Sequence, residues 1–476
     1  MTRRPGPARG AAGAARGAAG AVRGAAGAAT AVRGAAAALL GVAVGHLAAD
    51  GPAQPAVALA FGGLVALGEC VRVTLPGDRE HAPIGTAAAL AYALLGPLRG
   101  LPTAHGVLQV VAVAGAGTLI GAAGAAAFRG VRGRVTTKGK ASDCGRRPRG
   151  VPRAIGPTAA GSGYDRGAQR VLTVGFAAVL FQPLYNSGAL DRLPLAGPAY
   201  GLFLAAVAAL AGLWDAVLAA VLERSRSGLR FAAALEDQLR SLLSIGTAIV
   251  ATGLLLSLLA GEVGLWALPL FCVPLLLAQT SFRRAAAVRA TTGQTIETLA
   301  RATEVAGYTT PGHARRVADT ACALGRELGL GSRDLALLEY AALMHDIGQL
   351  SLVEPVPGGA TALLPDAEQQ RIARLGSEVI RRTGVPRQVW QQVARLADPC
   401  RLADGRPDAS LPLAARIIRV ANAHDDLLTA ARRHGLPDPS GRLDVLQRLR
   451  LDRGGSYDPV VLDALARMGR RGRGAD

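Results

Sequence analysis

Aromatic side chains are scarce: Phe, Trp and Tyr make up only 4% of the 476 residues. A surface that binds nucleic acid by stacking needs such rings, so this partner is disfavoured despite a formal net charge of +19. Cysteine is sparse as well. The five cysteines (Cys70, Cys144, Cys272, Cys322, Cys400) are scattered and form no CxxC pair. That excludes a zinc-ribbon spacing and a disulfide framework, and fits a reducing compartment for the soluble part. Charge is the third lack, and it is uneven. Half of the chain is hydrophobic and 18% is charged. From Met1 to about Thr280 the apolar runs hold few charges, whereas from Ser281 the chain is charged and periodic. One membrane domain followed by one soluble domain is the economical reading.

Residues 1–34 are an Ala/Gly/Arg segment in which the unit RGAAGAA recurs. With few large apolar side chains to offset the entropy of ordering, it is expected to be a flexible basic tail. Its arginines run too far for a cleaved signal peptide. A membrane domain over 35–280 is expected next, with about 6–8 helices. The apolar runs fall near 35–49, 54–71, 84–98, 107–128, 171–187, 197–222, 241–260 and 263–280. Loop charge gives an independent orientation. The tail holds six arginines and no acid, and the 129–170 loop holds eleven Lys/Arg against two acids, while the opposite-side loops contribute only Arg99 and Arg192. Basic residues mark the cytoplasmic side, so the amino terminus and the C-terminal domain are expected there, with the lipid bilayer as a partner. Within this half, Asp215 is an intramembrane carboxylate, either functional or close to the interface. His46 shows no charged partner and reads as a packed or interfacial histidine. Residues 281–306 read as a connecting helix, which would serve as a coupling element or a simple tether.

Beyond it the periodicity predicts helices opening at Gly312-His313, over Leu335–His345, over Pro365–Thr383 and over Leu413–Leu428, with no competing strand pattern. The expected fold class is therefore all-α throughout: a polytopic helical membrane domain, then an all-helical cytoplasmic domain over 307–465, with a basic tail at 466–476. A histidine, then 32 residues later His345 beside Asp346, then a polar residue on a later helix, supplies the mixed nitrogen and oxygen donors suited to iron, manganese or a similar divalent ion. Such an ion activates water and neutralises phosphate oxygens.

Tyr308–Val317, the tetrad His345-Asp346-Ile347-Gly348, Leu411–Ile418 and Gly455–Val461 resemble the HD superfamily, specifically its HD-GYP branch. The resemblance covers roughly 295–465. It implies metal ligation by His313, His345 and Asp346, with Asp346 also orienting the attacking water. It further implies hydrolysis of cyclic di-GMP, and more broadly a nucleotide or cyclic dinucleotide phosphoester as substrate. Three departures stand out. The family's closing ligand aspartate falls on Asn422, and a neutral amide is a poorer ligand for a hard cation. The lysine that follows HDIG is Gln349. Where the branch has two histidines and a glutamate, this chain has Pro399-Cys400-Arg401 ahead of Asp404-Gly405, and residues 347–423 contain no histidine. A second metal therefore lacks its imidazoles. His424-Asp425 could compensate from the same helix but reads first as a solvated or capping pair, Arg315-Arg316 could meet a phosphate but reads first as a solvated face, and His434 has no assigned role. The expectation is a membrane-anchored HD phosphohydrolase. The alternatives are a catalytically degenerate HD signalling module and a membrane half that acts as transporter or sensor. A homodimer is left open.

Overall fold

The computed structural model describes residues 8–75, 79–138, 159–192, 197–227, 229–356, 359–402, 404–433 and 438–472. The chain divides into two compact units, Met1–Ala286 and Ala287–Asp476. Unit 1 holds α1 (Ala8–Asp50), α2 (Pro55–Cys70), α3 (Pro83–Ala93), α4 (Val107–Lys138), α5 (Ala159–Asn186), α6 (Pro198–Ser227), α7 (Phe231–Ser241), α8 (Thr247–Val263) and the start of α9 (Ala267–Val305). Unit 2 continues with α10 (His313–Leu328), α11 (Ser332–Leu343), α12 (Asp366–Arg381), α13 (Arg387–Ala394), α14 (Leu413–Arg433), α15 (Asp438–Leu451) and α16 (Pro459–Gly472). The fold is all-α, with one small addition. β1 (Val73–Leu75) and β2 (Arg79–His81) form an antiparallel ribbon between the apolar runs at 54–71 and 84–98.

Four helices among the described residues are long and apolar enough to cross a bilayer by length and composition, against about 6–8 expected: Ala26–Asp50, Val107–Ala127, Pro198–Ser227 and Thr247–Val305. The run at 84–98 departs most from expectation. It forms only α3, 11 residues long, or roughly 17 Å of helix against a hydrocarbon core of about 30 Å. Ala87 through Leu95 are all buried, so α3 is the core of unit 1, as an all-round apolar helix should be. Glycine permits this approach. A Cβ on Gly68 of α2 would lie 2.3 Å from the Gly85 nitrogen of α3.

The amino-terminal segment also differs from expectation. α1 begins at Ala8 and runs without a break through the supposed flexible tail. Alanine is the strongest helix former, and Ala29, Ala36 and Ala43, seven residues apart, are buried along one stripe. Arg33 adds a two-pronged bond to Asp165 of α5. His46 has a partner one turn away, with its Nδ1 2.6 Å from Asp50. Asp215 accepts a 2.9 Å hydrogen bond from Thr173. α4 and α5 take up both ends of the 129–170 stretch, whose residues 139–158 lie outside those described.

In unit 2 the helices form where the apolar period demands them. α10 buries Ala314, Val317, Ala318, Ala321 and Leu324 on one face, and it is bounded by Gly312 and Gly329 at φ 75° and 89°, left-handed positions that favour glycine. Those residues meet Leu338 of α11, Ile417 and Ile418 of α14 and Val461 of α16 in one cluster. Each fully buried Val, Leu or Ile there contributes about 1.5–3 kcal/mol. The expected tail at 466–476 is helical as far as Gly472. Val461, Leu462 and Leu465 anchor α16 in the core, and Arg467 bonds Glu327 of α10 at 3.1 Å. His434 lies outside the described residues.

Candidate metal centre

His345 and Asp346 sit on the turn that leaves α11. The last carbonyls of a helix lack intrahelical donors, and His345 Nδ1 donates to one of them, Ala342 O, at 2.7 Å. Ile347-Gly348 then passes close against α12. A Cβ on Gly348 would lie 2.0 Å from Ile372 O and 2.7 Å from the Gly376 nitrogen, so the tetrad's glycine is a packing requirement. His313 opens α10 and points at the same turn. All three side chains are buried: His313 is 2%, His345 4% and Asp346 3% exposed.

Three atoms converge there. His313 Nε2 and His345 Nε2 are 3.3 Å apart, and each lies 3.2 Å from Asp346 Oδ2. Ligands about 2.1–2.3 Å from one ion and roughly at right angles are separated by about 3.0–3.3 Å. The triangle therefore has the dimensions of one face of a coordination shell. The hydrogen-bond inventory supports the same fit. His313 Nδ1 is 2.8 Å from Asp425 Oδ2, and the partners of both Nδ1 atoms, a carboxylate and a carbonyl, can only accept. Both Nδ1 atoms are thus protonated, which leaves each neutral ring with its Nε2 lone pair facing the other ring and Asp346. Asp346 Oδ2 is buried and, apart from the two imidazole nitrogens at 3.2 Å, has no polar partner. Among the described residues, His313, His345 and Asp346 are the group that could hold a metal ion.

Without an ion the cluster traps protons instead. Burial opposes charge on His313, but Asp346 and Asp425 outweigh it and raise the imidazole to about 10. His345 is raised in the same way, burial being overcome by Asp346. Burial acts to raise Asp346, but the two imidazoliums hold it well below the usual carboxylate range. A divalent cation would displace those protons.

Asn422 borders the same cavity as His345 and Asp346. Its Nδ2 donates to Thr361 Oγ1 at 3.0 Å, and Thr361 donates in turn to Asp346 Oδ1 at 3.2 Å. Asn422 is therefore two hydrogen bonds from the ligand triangle, and its Oδ1 is buried without a partner. Asp425, read from sequence as solvated or capping, is buried and orients His313. It also binds Arg316 through both oxygens, at 2.9 Å each, so Arg316 is no solvated face. Arg315 does face outward, bonding Glu339 at 3.1 Å. His424 is half-buried, and burial lowers its imidazole to about 4. Asp426 accepts from Ala362 N at 3.1 Å. Burial, with Asp346 adding to it, pushes its carboxyl up to about 7.

Thr361, Asp425 and Asp426 were missed from sequence. For the two acids a signal existed, because they lie three and four residues after Asn422 and so share its helix face. Cys400 and Arg401, in place of the branch's metal-ligand segment, tie their loop to the closing segment. Arg401 donates to Gly454 O at 2.8 Å, and Cys400 Sγ lies 3.5 Å from Ser456 O. Gln349 is fully buried, and neither polar atom of its side chain has a partner. A cavity of about 40 Å³ opens beside the triangle, lined by His345, Asp346, Thr361, Arg419, Asn422 and Tyr457 among others.

Comparison with known proteins agrees with this geometry. The HD domain family model matches residues 311–427. The chain is 30% identical over 185 residues to the cyclic di-GMP phosphodiesterase response regulator RpfG of Xanthomonas campestris pv. campestris (strain 8004), covering 37% of this chain and 47% of that protein. The chain thus spans about half the length of the curated relative it matches. Unit 2 carries an HD domain over residues 311–427, and its His313, His345 and Asp346 could hold a metal ion.

Proposed function

We propose that this protein is a membrane-anchored, metal-dependent phosphohydrolase whose HD domain cleaves a nucleotide phosphoester, with a cyclic dinucleotide as the leading candidate. The observation that carries the reading is the triangle of His313 Nε2, His345 Nε2 and Asp346 Oδ2, with both outer imidazole nitrogens already tied to acceptors. A divalent ion held there would make bound water acidic and neutralise charge on a phosphate oxygen. The chain's own residues do the positioning. Asp425 and Ala342 O fix the tautomer of the two histidines, and Thr361 holds one oxygen of Asp346 while the other faces the imidazoles. Asp346, which lines the cavity, would orient the attacking water. The cavity has room for a few waters or the oxygens of roughly one phosphate group, so nucleoside portions of a substrate would stay at its mouth. The similarity to a cyclic di-GMP phosphodiesterase supports the substrate class.

Four apolar helices and the loop charges support a membrane anchor with the HD domain on the cytoplasmic side. A second reading, an HD module that binds without turnover, is favoured by one observation. Asn422 contributes an amide whose NH₂ is spent on Thr361, which leaves the site one carboxylate poorer. Turnover of cyclic di-GMP and simple nucleotide phosphoesters by the full chain in detergent, beside His345→Ala, separates the two. Hydrolysis abolished by the substitution supports the enzyme. Metal-loaded protein that binds cyclic di-GMP without cleaving it supports the module.

A further inference from the structure

We propose that Arg419 is the phosphate-recognising residue of this site, its guanidinium binding the non-bridging oxygens of a phosphoester held beside His345 and Asp346. The inference rests on the metal-dependent reading above and adds the group that would read the substrate's charge. The cavity has His345 and Asp346 on one wall, and among its described lining residues Arg419 is the one permanently cationic side chain. Arg419 lies one helical turn before Asn422 on α14, about 4.5 Å along the axis, and Asn422 is linked through Thr361 to Asp346. Arg419 therefore borders the same small space as His345 and Asp346.

The arginine is placed in advance. Its side chain is only 9% exposed. Nη1 donates to Asp398 O at 2.7 Å and Nη2 to Asp366 Oδ1 at 3.1 Å. These contacts use two of the five N–H groups of a guanidinium. Asp366 is 68% exposed, so solvent screens its charge and the pair holds Arg419 without cancelling it. A planar guanidinium is suited to two-pronged binding of phosphate oxygens. The chemical need is clear as well. The triangle contributes one carboxylate and two neutral rings, so a single divalent ion leaves a net charge of about +1 to meet a phosphoester anion. The buried side chain after the tetrad, Gln349, is uncharged. Arg419 supplies a second positive charge with no second metal.

The test uses the full chain in detergent, loaded with Mn²⁺, with inorganic phosphate as the calorimetric probe and metal content measured on every sample. Arg419→Met and Arg419→Gln should weaken phosphate binding about 10- to 100-fold while keeping the wild-type metal content, and Arg419→Lys should recover part of the loss. If a phosphoester is turned over, KM should rise by a similar factor with kcat changed much less. Phosphate affinity within about twofold of wild type in a metal-retaining Met or Gln variant overturns the proposal, as does metal-loaded wild type that binds no phosphate. If Met alone loses metal, Gln decides. If both lose it, Arg419 is a structural strut and the proposal falls. Wild type that binds no metal defeats the reading beneath as well, and the metal analysis tells that failure apart.

Discussion

Asp425 offers the sharpest perturbation of the centre, because one buried carboxylate serves two partners. Its Oδ2 accepts a hydrogen bond from His313 Nδ1 at 2.8 Å, and its two oxygens accept from Arg316 at 2.9 Å each. Asp425→Asn keeps the size and removes the charge. The amide oxygen can still accept from His313, but its NH₂ must then face the Arg316 guanidinium, donor against donor. Loss of such an outer partner typically costs about 10- to 100-fold in metal affinity, equivalent to about 1.4–2.7 kcal/mol. Arg316→Met leaves Asp425 in place and should cost less. Competition with a fluorescent chelator for Mn²⁺ or Zn²⁺ on the full chain measures both. A metal affinity of Asp425→Asn within twofold of wild type would refute the claim that this carboxylate sets the ligand state of His313.

Three further outcomes are expected. Gly348→Ala should lower Tm and release metal, because the new Cβ meets the backbone of α12 at 2.0 and 2.7 Å and overpacking of this kind costs about 1–3 kcal/mol or more; an unchanged Tm would contradict the packing role. Asn422→Asp adds a carboxylate two hydrogen bonds from the triangle and should tighten divalent-ion binding by about tenfold or more, since ligand charge tunes affinity; unchanged affinity would show that the amide does not limit the site. pH acts in two ways. In the metal-free protein His313 is raised to about 10, above its unfolded value of about 6.5. Its ion pairs therefore stabilise the fold fully below about pH 6.5 and are lost as pH rises through about 10. Metal must displace that proton, so affinity should fall as pH falls, and uptake at pH 7 should release at least one proton. Calorimetry in buffers of different ionisation enthalpy checks this, and zero proton release would contradict it.

Much of the candidate site was legible because side chains that could hold a metal stand out by type. Two histidines and an aspartate in an otherwise apolar helical pattern have few other uses, and the apolar period placed α10, α11, α12 and α14 close to where they lie. α13 is only 8 residues long, and α15, at 14 residues, carries almost no apolar period to be read. What escaped was set by tertiary contact. Thr361 sits in a loop with no pattern, and only folding brings its hydroxyl between Asp346 and Asn422. Asp425 was misread because a His-Asp pair on a polar-looking turn of helix resembles a solvated face until α10 is packed against it. The amino-terminal segment was misjudged for a related reason. Its composition argued for an unstructured tail, whereas α1 continues through it into the apolar run, and Ala29 and the Arg33–Asp165 pair give its final turns before that run something to pack on. For α3, hydropathy marks the run as apolar but does not distinguish a lipid-facing span from a helix enclosed by its neighbours.

The proposed function stands on a single metal centre built by His313, His345 and Asp346. Elemental analysis of the full chain, purified without chelators beside His313→Ala and His345→Ala, tests it most directly. About one transition-metal ion per chain is expected in the wild type, with its loss in both variants. Metal-free wild type that takes up no divalent ion on reconstitution, or a metal content indifferent to both substitutions, would contradict it.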